Sequence, residues 1–334
     1  MDKHVLAAGD RPALEHVRDA ARRIAPWVQR TPVLRSGSLD RIAGAELFFK
    51  CENLQRIGAF KFRGATNAVQ ILDDAQAARG VVTQSSGNHG AALALAARLR
   101  GIPCHVVVPR NAPAVKLAAI RDFGGQVTLC EPTIAARNAA CAEIQSRTGA
   151  ELVHPFDDAR VVAGQGTATL ELLEQAGRLD AIVAPVGGGG LLSGTAIAAH
   201  GVNATIDVVG AEPEGARDAH DSLATGVRIT DRVAHTVCDG LRTHLGVLDF
   251  DVLREHRATI LLADEPAIVA AMRLVFERLK IVIEPSAAVA LAVVLGAPAH
   301  FAGRRVGIIL SGGNVDLDAL PWLAARPDGA GESR

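Results

Sequence analysis

Strand-like and helix-length segments take turns along this chain. The apolar, β-prone runs Cys104 to Val108, Gln126 to Cys130, Ala181 to Val186, Ile206 to Ala211, Thr259 to Leu262 and Val306 to Leu310 are separated by stretches of helical length. Such alternation marks parallel sheets covered by helices on both faces, so the predicted fold class is α/β. Residues 82–156 read as a self-contained β-α-β-α lobe whose helices are closed by Gly101-Ile102-Pro103 and Gly124-Gly125. This would be a small, mobile domain. Residues 1–81 and 157–326 would form a larger domain, and 327–334 have the composition of a fraying, disordered tail.

Four segments on this framework carry chemistry. In Gly58-Ala59-Phe60-Lys61-Phe62-Arg63-Gly64-Ala65, just after the apolar run Leu47-Phe48-Phe49, a lysine stands between two aromatics. Poor hydration lowers an ammonium pKa and frees an amine for imine chemistry, although a lysine in such a place can also snorkel its charge to solvent. Ser85-Ser86-Gly87-Asn88-His89-Gly90 follows Val81-Val82-Thr83 and precedes an alanine-rich helix pattern. Hydroxyls and amides at a helix start suit an anion, and they also suit an ordinary helix cap. Gly187-Gly188-Gly189-Gly190 joins an apolar strand directly to an apolar helix beginning at Leu191, the arrangement of a phosphate cup rather than of a flexible linker. Neither GxGxxG in a first βα turn nor GxxxxGK[ST] is present, so a dinucleotide or nucleoside triphosphate is not the natural ligand. Finally, Gly307-Ile308-Ile309-Leu310 ends in Ser311-Gly312-Gly313-Asn314, placing a hydroxyl at the carboxyl end of a strand, where open parallel sheets bind ligands.

Taken in order, these segments resemble the fold-type II pyridoxal-phosphate enzymes, in particular the serine/threonine dehydratase and serine racemase branch. The resemblance runs from about Thr31 to Trp322 and takes in Lys50 to Gln55, Ala163 to Thr167, Ala211-Glu212-Pro213, Asp239 to Thr243 and Ile283 to Ala287. It implies two α/β lobes with pyridoxal 5'-phosphate in the cleft between them. Lys61 would be joined to the cofactor beside Phe60, Asn88 would contact the ring hydroxyl, and Gly187, Gly188, Gly189, Gly190 and Leu191 would hold the phosphate. Ser311 would face the pyridine nitrogen, with Glu284 orienting groups near the ring. The substrate side would comprise Ser85, Ser86, Asn88, His89, Arg137 and Thr243. Glu212, the carbonyl of Ala216 and Asp218 match a Mg²⁺ or Ca²⁺ site of the racemase-like branch, and oxygen donors suit such ions.

The resemblance further implies α,β-elimination from an L-β-hydroxy amino acid of the serine/threonine type, giving a 2-oxo acid and ammonia. A neutral serine opposite the ring nitrogen makes a weaker electron sink than a carboxylate, which favours early loss of the β-substituent. The alternatives are a serine racemase, with Ser86 as the second acid/base, and a 3-hydroxyaspartate dehydratase, with Arg137 holding the distal carboxylate bidentately. A cysteine-synthase-type enzyme is disfavoured by Asn88-His89, where that branch has Asn-Thr.

Composition narrows the partners. The chain has 334 residues, is 49% hydrophobic and carries a formal charge of −1, with no basic block for nucleic acid. Its five cysteines form no CxxC pair, which points to reduced, packed thiols. No signal-type core is present, and the longest apolar stretch, Ala287 to Ala297, is shorter than the about 20 residues of a membrane span. A small-molecule protein of the cytoplasm is expected, and the resemblance implies an amino-acid substrate and a homodimer.

Overall fold

A computed structural model describes residues 6–323; the segment 327–334, expected to fray, lies outside them. Ten strands occur among the described residues: β1 (Val33–Leu34), β2 (Glu46–Cys51), β3 (Val81–Gln84), β4 (Cys104–Pro109), β5 (Gln126–Cys130), β6 (Glu151–Leu152), β7 (Ala181–Pro185), β8 (Asp207–Pro213), β9 (Thr259–Ala263) and β10 (Arg305–Leu310). They build a large sheet of order β1-β2-β10-β7-β8-β9 and a small one of order β5-β4-β3-β6. Every pairing is parallel except β1 with β2. The expected strands are all present, that near Ile206 being displaced to run Asp207–Pro213. The two-residue β1 and β6 are too short to leave a periodic trace in the sequence.

Each central strand is apolar along its length because both its faces are covered. Leu47 and Phe49 of β2, Ala181 and Val183 of β7, and Val306 and Ile308 of β10 pack into a core with helix Pro285–Gly296. The intervening Phe48, Ile182, Ala184 and Ile309 point the other way, toward helices Ala159–Ala176 and Gly190–Val202. This is the two-residue period of a strand. Helix Pro285–Gly296 is buried from Pro285 to Val294, so its uniform apolarity is that of a core helix. Among the described residues no helix is long and apolar enough to cross a membrane.

In the small sheet, Val81, Val106 and Val108 face helix Asn88–Arg100, while Val82 and Val107 face Cys141 and Ile144 of helix Ile134–Thr148. Helix Lys61–Gln70 adds Phe62, Ala65, Ala68 and Val69 to the first of these cores. It also meets helix Ala159–Ala176 of the large sheet, where the Gly64 amide donates to Gln165 at 3.0 Å. All five cysteines are buried and unpaired.

The strand order determines where chemistry can occur. β10, from near the end of the chain, lies between β2 and β7 with Leu310 beside Cys51 and Ile308 beside Val183. The loops leaving the carboxyl ends of these strands therefore share one edge.

Candidate active site

An open cleft of about 2160 Å³ lies where the carboxyl ends of the two sheets face each other. Its walls include Ser85 to His89 after β3, Arg137 beyond β5, His154 to Asp157 after β6, Gly187 to Leu191 after β7 and Ser311 after β10.

Lys61 begins helix Lys61–Gln70. The loop before it is held tightly. Ile57 has φ of 59°, a left-handed conformation costing a β-branched residue about 1–3 kcal/mol, and the Asn314 side-chain amide donates to its carbonyl at 2.7 Å. The Phe60 amide donates to the Ser311 carbonyl at 2.9 Å, joining the lysine loop to the end of β10. The Lys61 ammonium donates to the Pro155 carbonyl at 2.7 Å and lies 5.1 Å from the Phe60 ring centre. Its side chain opens onto the cleft, yet enough protein surrounds the nitrogen that burial lowers its pKa to about 8, against the opposing pull of Asp249. Only one of the two flanking aromatics contributes to this. Successive helical residues diverge by about 100°, and Phe62 points into the small-sheet core.

The glycine run forms a cradle that side chains would destroy. A Cβ on Gly188 would clash with the Phe156 ring, and one on Gly189 would clash with the Asp249 Cβ. Gly189 also has φ of 105°, and it caps helix Gly190–Val202. The amides of Gly190 and Leu191 thus belong to the unsatisfied first turn of a buried helix, a place suited to a phosphate. Thr243 borders the cradle, its hydroxyl 3.2 Å from the Cβ position of Gly187.

Asn88 opens helix Asn88–Arg100 and projects across the cleft. Its amide donates to both oxygens of Glu284 at 3.2 and 3.3 Å, while Asn314 donates to its carbonyl at 2.9 Å. Burial, followed by the charge of Asp239, raises the Glu284 pKa to about 7. His89, at the cleft wall, has its Nε2 3.3 Å from the Val153 carbonyl, and burial followed by the nearby Lys61 lowers its pKa to about 3. It is a neutral brace for the loop. Ser85 accepts from the Gly87 amide at 3.3 Å, Ser86 lines the cleft, and Ser311 is buried beneath it. Arg137 lines the cleft with one weak bond, Nε to the Thr133 carbonyl at 3.4 Å; among the described residues its terminal nitrogens have no partner. Sequence reasoning missed Phe156, Asn314 and Asp249, which act on the site through folded contacts.

The expected metal ligands lie at the end of β8, in the turn after it and at the start of the next helix. Glu212 and Asp218 are buried, and burial raises both pKa values, that of Glu212 to about 8. The Glu212 oxygens accept from the Ala219 and His220 amides at 2.8 Å each, and Asp218 accepts from Leu245 at 2.9 Å. Ala216 is buried in the turn between them. Two carboxylates and a carbonyl are donors of the kind a hard cation takes, but among the described residues no group of three or more histidine, cysteine or acidic side chains is placed to hold a metal ion.

A half-buried lysine with a weakened proton, a glycine cradle at a helix start and a hydroxyl at the end of a central strand fit an α/β enzyme that holds a phosphorylated aldehyde. Comparison with known proteins agrees: the family model for pyridoxal-phosphate dependent enzymes matches residues 24–312. The chain is 51% identical over 311 residues to a beta-hydroxyaspartate dehydratase of Paracoccus denitrificans, covering 93% of this chain and 99% of that protein. It is 48% identical to a serine racemase of Oryza sativa subsp. indica, covering 92% of each. The crystal structure of serine racemase from Dictyostelium discoideum superposes with a TM-score of 0.89 at 48% identity, covering 92% of this chain and 99% of that one. The protein belongs to the pyridoxal-phosphate-dependent enzymes of fold type II, in the branch that contains serine racemases and hydroxyaspartate dehydratases.

Proposed function

We propose that this enzyme is an ammonia-lyase for 3-hydroxyaspartate, releasing a dicarboxylic 2-oxo acid and ammonia. The relatives favour this reading over the deamination of serine or threonine. The observation that carries it is Arg137, a cleft-lining guanidinium whose terminal nitrogens have no protein partner among the described residues. A planar fork of donors matches a carboxylate, and a β-carboxylate distinguishes hydroxyaspartate from serine and threonine.

Bound pyridoxal phosphate supplies the electron sink for the pair left at Cα when the substrate loses its α-proton. The cradle Gly187 to Leu191 would hold its phosphate, Asn88 its ring oxygen and Ser311 its ring nitrogen. Lys61 Nζ, with a pKa of about 8, is the base that takes the α-proton near neutral pH. Ser85, Ser86 and the amides opening helix Asn88–Arg100 would receive the α-carboxylate. With that group and the β-carboxylate both held, the β-hydroxyl departs as water by taking up a proton from the Lys61 ammonium, and hydrolysis of the enamine-derived imine releases ammonia. Glu212, Ala216 and Asp218 would bind Mg²⁺ or Ca²⁺ on the flank of the cleft, neutralising two buried carboxylates.

A second activity, racemisation of serine, is supported by Ser86 at the cleft wall and by the racemase relatives. The test is 2-oxo acid release from the stereoisomers of 3-hydroxyaspartate, L-serine and L-threonine, with D-serine measured alongside. A 3-hydroxyaspartate isomer is expected to give a kcat/KM at least about tenfold above that of L-serine, corresponding to one charge-assisted contact. Equal or greater activity on L-serine or L-threonine would refute the assignment.

A further inference from the structure

Behind the phosphate cradle lies a carboxyl group that the proposed reaction does not use. Asp249 sits in the first turn of helix Val247–Glu255, is fully enclosed, and has no hydrogen bond to either oxygen. Its Cβ stands against the point where a Cβ of Gly189 would project, and its Oδ2 lies 2.7 Å from the corresponding point on Gly246. It is absent from the cleft lining, so it presses on the cradle from the far side.

Three polar groups face it: Ser193 on helix Gly190–Val202, Asp157 in the loop after β6, and Lys61. The Ser193 hydroxyl approaches without reaching hydrogen-bond geometry and is itself buried and unpaired. The amides at the start of the Asp249 helix are already occupied, since Val247 and Leu248 donate to Asp157 at 3.1 and 2.9 Å. An ionised carboxylate enclosed here would lack donors, a costly state, whereas a neutral carboxyl has one donor and one acceptor to match the serine hydroxyl. Burial accordingly holds the Asp249 pKa well above the ordinary carboxylate range. The negative charge of Asp157 reinforces this, while Ser193 and the Lys61 ammonium oppose it.

We propose that Asp249 is a positioning residue for the cofactor phosphate: as a neutral acid it backs Gly189 and pairs with Ser193, and once ionised it sets a second negative charge behind the cradle and weakens phosphate binding. The inference rests on the cofactor and is independent of the substrate. Linkage makes the effect reciprocal, so bound phosphate also keeps Asp249 protonated. Repulsion between unit charges even about 10 Å apart, at an effective dielectric of about 20, corresponds to a loss of affinity of about tenfold or more.

The test is equilibrium dialysis of the holoenzyme against buffered cofactor from neutral to alkaline pH, with retained cofactor read by absorbance. Above neutrality the phosphate is already doubly ionised and adds no titration of its own. Wild type is expected to lose cofactor through a proton-linked step that Asp249→Asn lacks, and the two proteins should retain pyridoxal, which has no phosphate, with the same pH dependence. An identical pH slope for wild type and Asp249→Asn, or an equal difference with pyridoxal, overturns the proposal. Should Asp249→Asn fail to fold, Asp249→Leu replaces it. If neither folds, the wild-type comparison decides: a steeper loss of pyridoxal phosphate than of pyridoxal supports the proposal, and equal slopes overturn it.

Discussion

Replacing Arg137 by methionine separates the proposed substrate from its competitors. Methionine keeps an unbranched stem while removing the guanidinium. Among the described residues that guanidinium bonds the protein only through Nε, at 3.4 Å to a carbonyl of the same helix turn, so the thermal midpoint should hold. Hydrogen bonds involving a charged group contribute about 1.5–3 kcal/mol, and a bidentate pair to a carboxylate would exceed that if fully buried. Arg137 is partly exposed, so water screens the pair and about 2–3 kcal/mol is the reasonable total. This predicts a fall of about 30- to 150-fold in kcat/KM for 3-hydroxyaspartate. Serine has no distal carboxylate, so its kcat/KM should change by less than about threefold, a difference of well under 1 kcal/mol. Arg137→Lys, which keeps the charge but not the fork, should fall between. Steady-state 2-oxo acid release on both substrates measures the ratio. An equal fall on both, or none on either, would show that Arg137 does not hold a substrate carboxylate.

Lys61→Ala should abolish turnover and the visible absorbance of bound cofactor; a borohydride-reducible adduct persisting on another lysine would contradict the assignment. Folding raises the Glu212 pKa, so the folded chain binds the extra proton, and metal-free protein should lose stability as pH rises from about 4.5 to about 8. Thermal midpoints in EDTA should follow that decline, Mg²⁺ should reverse it by binding the folded state, and Glu212→Gln should respond to neither; coincident EDTA and Mg²⁺ curves for wild type would remove the metal. Ser86→Ala should eliminate D-serine formation while sparing much of the elimination, and a parallel fall of both with a raised KM would make Ser86 a carboxylate contact instead.

What could be read in the sequence was whatever is local. The glycine run between an apolar strand and an apolar helix, and Ser311 ending a buried strand, are short-range patterns, and the structure brings both to the cleft. Lys61 was legible as a candidate, but its helix was not, because the flanking glycines and aromatics obscure the helical period. The contribution of Phe62 was misjudged for the same reason, since strand-like and helical spacing send neighbouring side chains in different directions. Phe156 beneath Gly188 and Asp249 behind Gly189 were invisible, because each is set by the docking of segments distant in the chain. Asn314 falls inside a motif that was noticed, yet its role as a bridge between Ile57 and Asn88 depends on β10 lying beside β2.

The same principle explains four charged residues that the sequence presents without an evident purpose. Arg63, two residues beyond Lys61, is fully buried and donates to both oxygens of Glu52 at 2.7 and 2.8 Å, and to both of Glu171 at 2.8 and 2.9 Å. Lys50, also fully buried, donates to Glu171 at 2.6 Å and to the Thr31 carbonyl at 2.7 Å. The charges balance, but desolvating four ions makes such a network a poor source of net stability, and apolar replacements of similar volume are often as stable. Its geometry is the more telling property. Glu52 follows β2, Arg63 lies in the first turn of the lysine helix, and Glu171 belongs to helix Ala159–Ala176. Charge-assisted forks tolerate little displacement, so the network fixes the start of the lysine helix relative to two elements of the large sheet. Lys61 can then reach the cleft from a rigid base even though its helix also shares a core with the small sheet.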